Sequence, residues 1–433
     1  MKRTQTYWKS LFRKKYLLLV FGIFLFELFL RTYNLGFKDP FGFDQVDNAW
    51  AAKNIIINHW YPLVGMVAKT DSGIFIGPAY YYFAAFFYWI YNLNPIASEA
   101  IAVVSAVFTF WTIFYVVKKL FCVEIAIIAL LINTFCFNTI LFDGIQWPVQ
   151  LLPAVSLIIF YLLYRVILGD VKKLIPLAIA IGVALNLHFT AIFFPIIVIL
   201  TLPLFPRTKE TLKYILISFP CFFVWLIPNL ASFLLNKTSA SAGGGYLTTY
   251  FLGFHLRRML QLTGDAIIQF DPYLLLAKIK PLKVIILPVF MLVYLFKSFN
   301  SAGRKFVYLV LLWFLIPWLV FTTYGGEISD YYFIISRFVA LIILSYFIYL
   351  VWNTKNILAK LFVVLFLIIY CAYGFITFLP YKDEGSLYKH EQAAKQVVDS
   401  GRRIEFQVGV PESYLYYYYM RQKGIAVYIS KYR

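Results

Sequence analysis

The stretch FGFDQVDNAWAAK, residues 41–53, sets Asp44 and Asp47 three positions apart in a chain that carries 39 Lys+Arg against 20 Asp+Glu. A carboxylate so placed can take a proton as a general base, cap a helix, or ligate a hard cation. The pattern AWAAKNIII that follows reads as a helix. If that helix begins before Asp44, both acids face the same way; if it begins later, one of them is its cap. As metal ligands the pair is short of donors, so Mg²⁺ or Mn²⁺ would require Asp143 or water to join, and the reading favours no metal.

Other polar residues interrupt apolar sequence at few places. Asp143, Gln146 and Trp147 stand on the tight turn FDGIQWPVQ, and His188 follows Asn186 in LNLHFT. Glu327, Asp330 and Arg337 frame the start of a late apolar run, while Lys69, Arg257 and Arg258 lie in the two longest polar connections. Glu27 sits four residues before Arg31 in the first apolar segment, the favourable order for a helix pair, and is read as structural.

The elements that must position these residues are greasy ones. The 433 residues are 62% hydrophobic, 21% aromatic and 14% charged, with a mean hydropathy of +0.77. No soluble protein of this size hides so much apolar surface, so the expected class is an all-α polytopic membrane protein. A net charge of +19 then belongs to loops that stay cytoplasmic and face anionic headgroups, and nucleic acid is not an expected partner. Cys122, Cys136, Cys221 and Cys371 lack paired spacing and suggest neither disulfides nor zinc.

Apolar segments near 16–33, 98–117, 125–142, 151–168, 174–188, 190–205, 212–235, 284–297, 306–323, 332–352 and 357–379 give eleven expected spans, the first an uncleaved signal anchor. The run 77–91 (GPAYYYFAAFFYWIY) is read as a juxtamembrane helix, because counting it as a span would send the lysine pairs at 118 and 172 outside. The N-terminus is therefore expected inside. The outer side collects the loop 31–97, the FDGIQWPVQ turn, the end of LNLHFT, the loop 236–282, TTYGGEISDYY and the segment 380–433. Within 236–282, NKTSASAGGGY reads as a hinge before an interfacial helix, a candidate lid; the tail reads helix, strand, helix, strand, a small α/β unit leaning on the membrane domain 1–379.

DQVDNA, YPLVGMVAKTDSGIFIGPAYYYF, IQWPVQLLP and LNLHF together resemble the GT-C superfamily of polyprenyl-phosphate-sugar-dependent membrane glycosyltransferases, nearest to family 39, the protein O-mannosyltransferases. The resemblance covers roughly residues 16–200. Gln45 stands where relatives often carry a second acid and Asn48 where an Asp is common, and their WNP turn is here Trp147-Pro148, with Gln146 before it and no Asn.

The resemblance implies that Asp44 is the catalytic acid, with Gln45, Asp47 and Tyr81 as accessory polar groups. It implies a sugar contact by Asp143 or Gln146, stacking by Trp147 and a substrate contact by His188. Glycosyl transfer from a lipid phosphate needs one base for the acceptor proton and a fixed cation for the departing phosphate, for which Lys69 is the first candidate and Lys53, Arg257, Arg258 and Arg337 follow. The expected partners are a polyprenyl-phosphate-linked sugar, membrane lipid and a glycan, lipid or protein acceptor, at the outer face of a plasma (inner) membrane. A flippase of lipid-linked sugars would gather its polar groups at mid-membrane instead. A cell-wall polymerase or ligase is the other rival.

Overall fold

A computed structural model describes residues 2–69, 72–235, 237–251, 253, 255–268, 273, 301–401, 406 and 409–427, with side chains omitted at 2–14, 237–241, 265–268, 301–302 and 330. The expected span 284–297 lies outside the described residues. The helices are α1 (Lys2–Thr32), α2 (Leu35–Lys38), α3 (Phe43–Asn58), α4 (Ala79–Ile90), α5 (Ile96–Leu120), α6 (Val123–Phe135), α7 (Phe137–Gly144), α8 (Leu152–Ile167), α9 (Leu174–Leu185) and α10 (Phe193–Thr201). They continue with α11 (Lys209–Phe223), α12 (Ile227–Leu235), α13 (Lys237–Tyr250), α14 (Leu256–Ile268), α15 (Ser301–Thr322), α16 (Arg337–Trp352), α17 (Ile357–Phe378), α18 (Leu387–Asp399) and α19 (Pro411–Gln422).

The all-α polytopic class is the observed one. Among the described residues, six helical runs are long and apolar enough to cross a membrane, or seven with the pair α6 and α7, which bend by 70° at Cys136. The expected spans 174–188 and 190–205 are shorter helices, α9 and the run Phe189–Leu204. Helix α17 shows how a lipid-facing span is built: Val363, Tyr370, Gly374 and Phe378 form one buried stripe, while Phe362, Leu365, Ile369 and Ile376 remain exposed. Gly374 lies against the backbone of Phe135, leaving no room for a side chain.

Polar groups tie the interior of the bundle. Trp313 Nε1 donates to Ser156 Oγ at 2.9 Å, Ser156 Oγ to Ile335 O at 2.6 Å, and Ser336 Oγ to Trp313 O at 2.7 Å, joining α8, α15 and the start of α16. The break at Cys136 leaves carbonyls at the end of α6 without helical partners. Arg31 takes them, Nη1 donating to Thr134 O at 2.7 Å and Nη2 to Asn133 O at 3.4 Å. The same guanidinium pairs with Glu27 at 3.2 Å and Asp143 at 2.8 Å, with all three residues buried.

The two ends of the bundle differ. Lys305 Nζ reaches Ile167 O at 3.4 Å, and Phe121 packs on Phe306 and Tyr346, so Lys118, Lys119, Arg165, Lys172, Lys173 and Arg304 share one end. The loop bearing Asp44 meets the start of α8 at the other end, about 24 Å away by the rise of a sixteen-residue helix.

The C-terminal segment clamps the first loop. Asp383 N donates to Phe37 O, Phe41 N to Gly385 O and Leu387 N to Asp39 O, each within 3.0 Å. Helix α19 lays Tyr414 and Tyr417 on Trp50 of α3, with ring centroids 5.3 and 5.5 Å apart. Helices α18 and α19 are the expected ones; of the expected strands, the described residues 406, 409–410 and 425–427 are not in strands, and the rest lie outside the described residues. Of the expected hinge 236–246, residues 237–246 are helical within α13, with Gly243 seated against Ile74. The helix forms there despite the propensity cost of three glycines, about 1 kcal/mol each relative to alanine.

Candidate active site

Helix α3 starts at Phe43, before Asp44, so the acids are in its first turns and face one way. Neither caps it. Gln45 does that work: its Oε1 accepts from Gly42 N at 2.9 Å while its Nε2 donates to Gln146 O at 2.9 Å, fastening α3 to the turn before α8. Gln146 Nε2 in turn donates to Tyr80 OH at 3.0 Å, and Tyr81 OH donates to Asp47 Oδ2 at 2.5 Å. Three sequence motifs thereby meet through hydrogen bonds.

Asp44 is left out of that set. Among the described residues no group donates to its carboxylate, which is only partly exposed. Burial first, and the Asp47 charge second, push it up to about 6. The positive end of α3 acts the other way, by a few tenths to about 1 kcal/mol, and is outweighed. A carboxylate poised there is ionised at neutral pH and basic enough to accept an alcohol proton in a transition state.

His188 is set by local geometry. Thr190 N donates to His188 Nδ1 at 3.3 Å, which places the ring proton on Nε2, and burial holds the imidazole down to about 3, so it is a neutral donor. Its ring packs on Tyr331 with centroids 5.6 Å apart, and Tyr331 packs on Trp147 at 5.1 Å. Tyr331 also lies within electrostatic reach of Asp44 and Glu327. Trp147 packs on Phe142, and Arg337 stacks its guanidinium over Phe142 at 4.1 Å. Gln146 Oε1, Trp147 Nε1 and Arg337 Nε are buried with no hydrogen-bond partner among the described residues. Unmet polar atoms of that kind want a ligand or ordered water.

Lys69 follows a segment, 65–68, that pairs with 74–76 through Ile76 N to Met66 O at 3.0 Å and Ala68 N to Ile74 O at 2.7 Å. It lies 3.7 Å from exposed Glu327. Arg258 Nη2 donates to Gly326 O at 2.6 Å, so both cations meet the loop that follows α15. Lys69 also lines an apolar cavity of about 500 Å³, with Ile76, Phe189, Phe193, Phe321 and Tyr324 among others. Asn186 ties the same wall to α4: its Oδ1 accepts from Ala79 N at 3.3 Å and crowds Gly77, where any side chain would collide.

Some expected site residues are placed elsewhere. Asp143, expected to bind sugar or complete a metal site, is held by two N–H groups of Arg31 because the α6–α7 break makes that buried cation necessary. Among the described residues no group of three His, Cys, Asp or Glu converges as metal ligands. Lys53 is on the far face of α3, over the Tyr417 ring at 5.5 Å, and Arg257 is exposed on α14. Tyr331 and Tyr80 were missed from the sequence; an unusual density of tyrosines beside each polar motif was the available signal.

The helical bundle that carries this site shares its fold with solved structures. Among solved structures the chain is similar to ArnT from Cupriavidus metallidurans in the apo state, over 93% of this chain and 85% of that one, with a TM-score of 0.57 and 12% identity. It is also similar to the same protein bound to undecaprenyl phosphate, over 96% and 76% of the two chains, with a TM-score of 0.50 and 12% identity. At that identity the likeness is one of fold. No family model and no curated protein matches the sequence.

Proposed function

We propose that the chain transfers a sugar from a polyprenyl-phosphate carrier to an acceptor hydroxyl at the extracytoplasmic face of a plasma membrane. The reading rests on one observation above the rest: an unengaged, basic carboxylate, Asp44, within electrostatic reach of Tyr331, which packs on His188, the neighbour of Phe189 in the wall of an apolar cavity that Lys69 also lines. The cavity suits an isoprenoid chain, and ArnT, of the same fold, binds undecaprenyl phosphate. In the step, Asp44 takes the acceptor proton as the acceptor oxygen attacks the anomeric carbon. The bond from that carbon to the phosphate oxygen breaks, and the carrier leaves as a phosphate monoester held by Lys69 and Arg258. Attack opposite the leaving group inverts the anomeric centre. Gln146, Trp147, His188 and Arg337 offer polar atoms and ring faces to the sugar phosphate.

The chain reconstituted in vesicles is the test. Sugar passes from the lipid monophosphate donor and not from the diphosphate, and the product carries the inverted anomer. Transfer from the diphosphate alone, or lipid movement without transfer, overturns the reading.

Two further outcomes check its parts. Because Asp44 must be ionised to act, kcat/KM falls about tenfold per pH unit below about 6 and is level above it. Asp47→Asn removes the second cause of the raised value and moves that limb to lower pH. Lys69→Ala raises KM for the donor about tenfold with little change in kcat, a charge-assisted phosphate contact discounted for partial exposure. An unchanged KM would remove Lys69 from the phosphate site.

A further inference from the structure

The end of the bundle remote from Asp44 holds a second cleft. Between the C-terminal ends of α5 and α8 lies a pocket of about 300 Å³ lined by Lys119, Tyr161, Tyr164, Arg165 and Asp170. It opens beside an apolar groove of about 430 Å³ lined by Phe108, Trp111, Tyr115, Leu162 and Lys173. Tyr161 lines both.

We propose that this cleft binds one anionic phospholipid of the surrounding bilayer, with its headgroup between Lys119 and Arg165 and an acyl chain in the groove. Charge complementarity argues for the headgroup. Lys119 and Arg165 line the pocket and Lys173 the groove, Lys118 and Lys172 are their neighbours in sequence, and among the described residues Asp170 is the one acid that lines the pocket. Asp170 Oδ2, 3.1 Å from Arg165 Nη2, and Tyr161 OH, 3.4 Å from Arg165 Nη1, fix the guanidinium fork. Lys119 has no acidic partner among the described residues and rests over the Tyr115 ring at 5.7 Å. Basic pockets between membrane helices hold phosphate headgroups in this way. The groove argues for a lipid over a free anion, because its aromatic walls, with Trp111 and Tyr115 exposed, need an apolar cover that a phosphate ion does not supply. The site is independent of the catalytic reading, lying at the opposite end of α8.

The full chain is placed in nanodiscs of phosphatidylcholine containing a minority of phosphatidylglycerol, then stripped by detergent and weighed by native mass spectrometry. Wild type retains about one phosphatidylglycerol per chain, as a single pocket of this size requires. Lys119→Gln combined with Arg165→Gln lowers retention about tenfold, and Lys119→Gln alone, which leaves the Arg165–Asp170 pair intact, lowers it about threefold. Lys360→Gln, at the same end but over Trp352 and outside the cleft, changes nothing. An equal loss in Lys360→Gln, equal retention of phosphatidylcholine, or displacement by inorganic phosphate as effective as by phosphatidylglycerol vesicles would each overturn the proposal.

Discussion

Asp44→Asn lowers turnover by about 10² to 10⁴ while the protein still folds. The size follows from what the carboxylate does and does not touch. It makes no hydrogen bond that holds α3 in place; that fastening belongs to Gln45, through Gly42 N and Gln146 O. An amide of the same shape therefore leaves the helix and its neighbours where they are and removes only the proton acceptor. Replacing a partly buried carboxyl by a neutral group also removes its repulsion with Asp47, so melting in detergent is unchanged or slightly higher. Activity is read as sugar transferred in vesicles, beside a melting curve on the same preparation. Normal turnover in the variant removes Asp44 from the chemistry whatever the rest of the site does. Loss of turnover together with loss of folding would instead make it a structural residue.

Arg31→Met has the largest effect on stability, a loss of about 3–5 kcal/mol. The arginine is buried at 2% exposure between Glu27 at 0% and Asp143 at 3%, and it also satisfies the carbonyls of Asn133 and Thr134. Removing it strands both carboxylates and both carbonyls in the buried interior. Reversing the stranding is the informative control: adding Glu27→Gln and Asp143→Asn to Arg31→Met restores much of the melting temperature, because the penalty comes from unpaired charge and not from lost attraction. A melting temperature that Arg31→Met leaves in place would show that the three groups do not form one network. The catalytic reading is not at stake in that measurement, since Asp44 lies outside the network.

The sequence by itself determined the class and the position of the key acid. Long apolar runs have few folded outcomes, because a backbone in lipid must satisfy its own hydrogen bonds, and so the all-α polytopic fold followed from composition. Asp44 stood out because acids are scarce in this chain, and the helix after it was legible from AWAAKNIII, ending up as α3. The two helices of the tail were legible for the same reason, each having a helical pattern bounded by Ser386 and Pro411.

Only the tertiary structure decided which polar residues share a site. Asp143 and Gln146 stand three apart on one turn, yet one is consumed by Arg31 from 112 positions away and the other faces Tyr80 and α3. The 70° break at Cys136 created that demand for a cation, and nothing in the local sequence announces a break set by packing against α1 and α17. Likewise the glycines at 243–245 read as a hinge but are helical, with Gly243 set against Ile74, despite an intrinsic cost of about 1 kcal/mol per glycine relative to alanine. Local propensity and hydrophobicity are written along the chain; the partner of a buried charge is fixed by which helices meet, and that is a property of the whole bundle.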